Sequence, residues 1–219
     1  MPTTPVFDSI ASEWEEYRQK PLSALELFKP FLRKTHGKAL DAGCGNARNT
    51  PFIAQYFDKV ICLDESRKML WFARKRIRQE DLSKRIKIVK GDVRALPFPD
   101  AYFDTVFCIA VLHHFQAKRE QTQVLHEIKR VLRKGGICFI TVWNKHQQKF
   151  FSLQAKATVK WTRRDKTLIH RMHYFFEKKE LTELCKKTGF RVKKAFFEKK
   201  GALARKQGAF NLCTVLEKT

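Results

Sequence analysis

A chain of 219 residues with 43% hydrophobic side chains is long enough to bury one substantial core, and no linker marks off a second domain. Its 45 Lys plus Arg outnumber 22 Asp plus Glu, a net +23, and from Thr141 onward there are 20 basic residues against 6 acidic ones; heat-adapted surfaces raise Glu along with Lys, so an unbalanced excess points to a polyanion, nucleic acid before membrane. No apolar run reaches the length of a membrane span, MPTTPVFDS lacks the charged start and apolar centre of a secretory leader, and six cysteines without a close pair exclude a disulfide framework or a zinc site of ordinary spacing; a cytoplasmic protein with reduced cysteines is expected.

In chain order, residues 6–31 read as two helices broken at Pro21, the first amphipathic through Phe7, Ile10, Trp14 and Tyr17. Residues 38–49, KALDAGCGNARN, read as a buried strand, a tight turn and the start of a helix. Gly43 and Gly45 let the backbone turn sharply and approach a ligand, and the first free N–H groups of the helix point at whatever binds there. Asp41 can accept hydrogen bonds from that ligand or anchor the turn. The dinucleotide fingerprint wants a third glycine, and Ala47 holds its place.

The run 60–63 ends in Asp64, 23 residues after Asp41, where a carboxylate that grips ribose hydroxyls belongs. A crossover helix is expected over 50–57 and a second over 66–79. The second carries Arg67, Lys68, Arg74, Lys75, Arg76 and Arg78 around an apolar stripe, as a solvated face or a contact for phosphate. A third strand, 86–89, leads to Gly91-Asp92-Val93. There the Asp92 carboxylate suits an adenine amino group, or merely caps the turn. The fourth strand, 103–110, is followed by His113-His114, of which at most one is expected to face inward on a regular element.

Residues 118–132 form an amphipathic helix closed by Gly135-Gly136, and 137–143 a fifth strand that places Trp143 at its carboxyl end, as a stacking surface or a cover on the core. From 145 to 171 the periodicity fades while cations and rings alternate; Trp161, Arg163, Arg164, Lys166, His170, Arg171, His173 and Tyr174 are the composition that stacks bases and holds phosphates. A helix over 177–188 and two strands, 190–198 and 208–218, close the chain as a hairpin.

Strands alternating with helices predict an α/β fold, a Rossmann-like doubly wound, mostly parallel seven-stranded sheet with a C-terminal antiparallel hairpin and a ligand across the carboxyl ends of its strands. DAGCGNA, the acid of CLDES, GD followed by ALPFPDAYFD, and CIAVLHHF resemble the successive motifs of class I S-adenosylmethionine-dependent methyltransferases. FDSIASEWEEYRQKP, with Ile10, Ala11, Trp14, Arg18, Lys20 and Pro21, resembles the amino-terminal segment of the tRNA wobble-uridine methyltransferases that esterify a carboxymethyl group at uridine C5. His173-Tyr174-Phe175, Glu180-Leu181, Leu184-Cys185 and Asn211 resemble that family's carboxyl-terminal part.

The resemblance implies a single domain: a lid at 1–35, a cofactor core at 36–143 and a basic substrate segment at 144–219. It implies S-adenosylmethionine as cofactor, S-adenosylhomocysteine as product, and no metal. The cofactor would be held by Tyr17, Arg18, Asp41, Ala42, Gly43, Gly45, Asn46, Asp64, Glu65, Met69, Gly91, Asp92, Val93, Ile109, Ala110 and His113. It also implies two partners, the anticodon arm of tRNA and a small zinc-containing activator protein, and no membrane. A carboxylate acceptor is already ionised at neutral pH, so no general base is needed, only groups that orient it. Arg18, His114, Arg163, Arg171, His173 and Tyr174 are the candidates. A small-molecule methyltransferase of the quinone or sterol type is the competing expectation, and a catalytically silent nucleic-acid-binding module a third.

Overall fold

The computed structural model describes residues 3–33, 35–147 and 155–219; the part of the basic segment at 148–154 lies outside them. Helix α1 (Thr3–Tyr17) and a 3-10 helix (Ser23–Phe31) precede β1 (Thr35–Ala42), α2 (Thr50–Ile53), β2 (Phe57–Asp64), α3 (Arg67–Gln79), β3 (Ile86–Lys90) and β4 (Phe103–Ile109). A short 3-10 turn (Leu112–His114), α4 (Lys118–Val131), β5 (Leu132–Trp143), β6 (Lys156–Thr162), β7 (Leu168–Tyr174), α5 (Lys178–Lys187), β8 (Phe190–Lys199), β9 (Ala202–Ala204) and β10 (Asn211–Lys218) follow.

The main sheet has eight strands in the order β3-β2-β1-β4-β5-β10-β8-β9, one more than expected because the three-residue β9 extends its edge. Pairings among β1 to β5 are parallel; β10 is antiparallel to both β5 and β8, so the closing hairpin is inserted with its second strand innermost. The chain leaves β1 for β2 on one side and later returns to β4 on the other, so a crevice opens beyond the carboxyl ends of β1 and β4. Both faces are covered, which is why the central strands are continuous apolar runs rather than alternating ones. One face packs under α4 and α5 through Phe103, Leu125, Ile128 and Leu181, the other under the Ser23–Phe31 segment and α3 through Phe28, Leu70, Phe107 and Phe139.

Some elements differ from the sequence expectation. Helix α2 stops at Ile53, well short of residue 57, because the chain turns directly into β2 at Phe57. Pro30 lies inside the second amino-terminal helix, which is 3-10 rather than α. The pair Gly135-Gly136 does not cap α4 but sits within β5, where its pairing with β4 slips register; Gly135 has φ +73, and a Cβ on Gly136 would lie 2.8 Å from the Arg133 carbonyl. Between residues 156 and 174 the faded periodicity conceals an antiparallel hairpin of its own, β6 with β7, separate from the main sheet.

Candidate active site

A cavity of about 530 Å³ lies at the carboxyl ends of the central strands, closed from above by α1 and flanked by β7. Its floor is the turn after β1. Gly43 and Cys44 donate their N–H groups to the Leu63 carbonyl at 2.8 and 2.9 Å, which ties the turn to the end of β2. Gly43 takes φ +75, and a Cβ there would come within 2.5 Å of the Val111 side chain. Gly45 takes φ +55 with nothing within 4 Å of a would-be Cβ, so bare backbone faces the cavity. Ala47, in the place of the third glycine, is buried and adopts φ 58.

Asp64 lines the cavity and receives the Gly45 N–H at 2.8 Å on one oxygen and the Ser66 N–H at 2.9 Å on the other. Burial pushes its carboxyl up, and these backbone donors pull it back. Glu65, Met69, Gly91, Asp92, Val93, Ile109 and Ala110 complete this end. Asp92 caps the turn, since one carboxylate oxygen accepts the Arg94 N–H at 2.8 Å while the Arg94 guanidinium pairs with it, and it also lines the cavity. Asp41 and Ala42 do not reach the cavity. Asp41 is buried and accepts the Thr50 hydroxyl at 2.7 Å, the anchoring alternative, and burial pushes its carboxyl up to about 7.

The opposite end is built of rings. His113 and His114 both line it, contrary to the expectation for a regular element, because they occupy a 3-10 turn rather than a helix or strand. On β7 the side chains alternate, so Arg171 and His173 face the cavity while Tyr174 points the other way, donates to the Glu180 carboxylate and packs on Phe176. Tyr174 is therefore not a site residue. Neither is Tyr17, which is 56% exposed and leans toward Trp161, nor Arg163, whose guanidinium lies 3.5 Å from Glu13. Arg18 does line the cavity, with its guanidinium 5.5 Å from the Trp14 ring.

Trp143 and His173 stack at 4.4 Å with an interplanar angle of 7°, and His113 stacks on both. His173 Nδ1 lies 3.0 Å from the Arg171 carbonyl; in the neutral ring it is the donor, which leaves Nε2 as a buried lone pair without a hydrogen-bond partner among the described residues. Burial and the Arg171 charge push all three imidazoles down, His173 to about 4, so they are neutral at pH 7. Nitrogens of the three lie within 4.8 Å of one another, a spacing that could admit a metal ion. Among the described residues, however, no carboxylate joins the cluster, and the neighbouring guanidinium repels a cation. Neutral acceptors beside a cation suit a ligand that offers both an N–H and an anionic oxygen.

Arg171 is 8% exposed and makes no ion pair among the described residues. Its guanidinium sits 5.6 Å from the Trp14 ring and 5.2 Å from the Trp161 ring, and burial lowers it only to about 10, so it stays charged. Helix α1 is fastened over this assembly by its acids. Asp8 accepts the Ser66 hydroxyl at 2.5 Å, Glu15 pairs with Arg76 and accepts from Asn46, and Glu13 accepts the Trp161 indole N–H at 2.9 Å. Asn46 thus lines the cavity while holding α1 to the glycine turn. Sequence reasoning missed Phe7, Arg48, Phe210 and Asn211 in the lining. Of these, only Arg48, next to the glycine turn, carried a positional signal; Phe210 and Asn211 arrive through the insertion of β10 beside β5.

The donor set fits S-adenosylmethionine: bare glycine backbone, a carboxylate at the end of β2 and another beyond β3, all on the reversal of strand order. Fold and site together define a class I S-adenosylmethionine-dependent methyltransferase. Residues 40–140 match the methyltransferase domain family, which supports that class.

A protein of Encephalitozoon cuniculi named as a methyltransferase is 28% identical over 85% of each chain. The tRNA (carboxymethyluridine(34)-5-O)-methyltransferase of Schizosaccharomyces pombe is 29% identical over 65% of this chain, which spans 58% of its length. The demethylmenaquinone methyltransferase of Lactobacillus johnsonii is 37% identical over 51% of this chain and 46% of its own. A methyltransferase of Haloferax volcanii solved with the Trm112 methyltransferase activator shares the fold at TM-score 0.72 and 16% identity, covering 99% of this chain and 97% of the other.

Proposed function

We propose that this chain methylates the carboxylate of 5-carboxymethyluridine at the wobble position of tRNA. The observation that carries the reading is Arg171, a buried cation with no anionic partner among the described residues, held between two tryptophans at the ring-lined end of the cavity. A carboxymethylated pyrimidine supplies what that end lacks. Its ring belongs beside the stacked Trp143 and His173, its imide N–H opposite the His173 lone pair, and its carboxylate on the guanidinium. Support comes also from the net charge of +23 and from the likeness to the Schizosaccharomyces pombe enzyme.

In this reading Asp64 and Glu65 take the ribose hydroxyls, Asp92 and Val93 the adenine, and the Gly43 to Gly45 backbone the methionine portion. The bound cofactor supplies a methyl group on a sulfonium. The chain's own residues align the acceptor, exclude water beneath α1 and leave the carboxylate ionised, so none of the neutral histidines has to remove a proton. Helix α1 then acts as a lid, one domain carries the whole site, and the compartment is the cytoplasm. A small zinc-containing activator would pair with the edge of β3, and the solution of the Haloferax volcanii neighbour with a methyltransferase activator supports a partner of that role.

The likeness to the Lactobacillus johnsonii enzyme keeps a quinone-type acceptor as the alternative. The two readings separate in one experiment: tRNA bearing carboxymethyluridine is incubated with the protein, with and without activator, and labelled cofactor, then digested for nucleoside mass spectrometry. A methyl ester formed by the wild type and absent with Asp64→Ala is expected. No methylated nucleoside from any tRNA, together with turnover of an apolar quinone, would overturn the proposal.

A further inference from the structure

Helix α3 presents to solvent a stripe that neither the cofactor site nor the core accounts for. Its inward face is Met69, Leu70, Ala73 and Ile77, all buried. Arg67, Trp71, Arg74 and Arg78 fall at intervals of four, three and four residues and are all exposed, so they form one row, with Lys68 and Lys75 beside it. Trp71 is 58% exposed, and its only ring contact among the described residues is an edge-to-face one with Phe72, its neighbour in sequence. Of the six cations on this helix only Arg76 is tied down, by Glu15 of α1; among the described residues the other five make no ion pair.

The exposed indole offers a flat apolar face, and five cations with no acid between them repel one another. Both features are matched by a partner that offers flat apolar faces at the spacing of repeated negative charges. A protein partner would need an acidic face around an apolar pocket, whereas a nucleotide chain carries both features in every unit. The row also begins at the right place. Glu65, just before the N-cap Ser66 of α3, and Met69 in its first turn line the cavity, and the helix then runs outward for about 20 Å, the span of several nucleotides.

We infer that the outer face of α3 is an RNA-docking surface, with Trp71 stacking on an unpaired base and Arg67, Arg74, Lys75 and Arg78 holding the phosphates on either side. The inference rests on the tRNA reading of the site and adds to it where the substrate lies outside the cavity. It also accounts for the helix being so basic, since an ordinary solvated helix face would alternate its charges in sign.

The test compares wild type, Trp71→Ala and the double variant Arg74→Glu, Lys75→Glu, all with activator if it proves necessary, in binding to unmodified and carboxymethylated tRNA at several salt concentrations. Because Trp71 lies outside the core, cofactor affinity by calorimetry and the melting temperature should match wild type in each variant. Trp71→Ala should weaken tRNA binding roughly ten-fold, and the double variant should lower the salt slope of log affinity by about 2. Both should raise KM for tRNA and leave kcat at saturating tRNA unchanged.

Wild-type tRNA affinity in both variants, with wild type itself binding and methylating tRNA, would sink the surface and leave the active-site reading standing. Loss of activator binding in Trp71→Ala with tRNA affinity intact would assign the stripe to the protein partner and likewise overturn the inference. If wild type neither binds nor methylates tRNA, the reading of the active site falls and the surface falls with it.

Discussion

Gly43 is held by two constraints at once, a left-handed backbone and a 2.5 Å approach of its missing Cβ to Val111. Gly43→Ala should therefore cost roughly 2 kcal/mol in denaturant unfolding, combining backbone strain with overpacking, and weaken cofactor binding in calorimetry. Ala47 shows the smaller version: it occupies the left-handed region with a methyl that is already buried, so strain alone is at stake. In the proposed reading Arg171 holds the acceptor carboxylate. Arg171→Gln should lower kcat/KM for the RNA acceptor about a hundred-fold or more, the cost of leaving an anion facing a site without its charge, while the cofactor dissociation constant stays within about three-fold of wild type.

His173 predicts a pH effect at the same scale. Its folded pKa is depressed to about 4 by burial, so the imidazolium that forms readily in the unfolded chain is disfavoured in the native one. The stability this contributes is present above the unfolded pKa of about 6.5 and is lost as pH falls from there toward 4. Asp41 acts in the opposite sense, since its folded pKa is raised to about 7 and its contribution declines between about 4 and 7 as pH rises. Replacing His173 by Gln should flatten the acid side of the stability profile in thermal melts; an unchanged slope between pH 6.5 and 4 would show that the buried ring is not the group responsible.

At the scale of elements, α1 is fastened across the cavity by polar groups. Its acids reach three different places: Asp8 to the start of α3, Glu15 to the glycine turn and Arg76, and Glu13 to the β6–β7 hairpin. The helix is thereby latched across the cavity at three points by its acids, beside the buried Ile10 and Ala11. Asp8 also receives the Lys68 N–H at 3.2 Å, so it caps α3 from outside while Ser66 caps it from within. Asp8→Ala should cost about 1 kcal/mol of stability, the usual worth of a cap. It should also raise KM for the cofactor more than it lowers kcat, as steady-state kinetics can read directly.

At the scale of the whole molecule the net charge of +23 is the governing quantity. Affinity for tRNA should fall at least ten-fold between about 50 and 200 mM salt, as expected when several phosphates are neutralised, while affinity for the cofactor, held in an enclosed cavity, should change little. A salt-insensitive acceptor KM would favour the small-molecule reading instead. No helix among the described residues is long and apolar enough to cross a membrane.

The glycine-lined half of the cavity was legible in the sequence because each of its groups is local to the end of a strand. Where a buried apolar run stops, the next few residues must lie at the sheet's carboxyl edge, so Gly43, Gly45, Asp64 and Asp92 could be placed from spacing alone. The ring-lined half depended on contacts remote in sequence. Whether Arg171 or Tyr174 faces inward is a matter of register in a hairpin whose alternation was masked by cations, and two adjacent histidines share the cavity only because a 3-10 turn holds them. Phe210 and Asn211 reach the cavity because β10 inserts between β5 and β8, a pairing that no local pattern encodes. Strand ends follow from where water is excluded along the chain, which the residues themselves specify; which side chains meet across a cavity follows from how those strands are stacked side by side, and that is decided only by the packed whole.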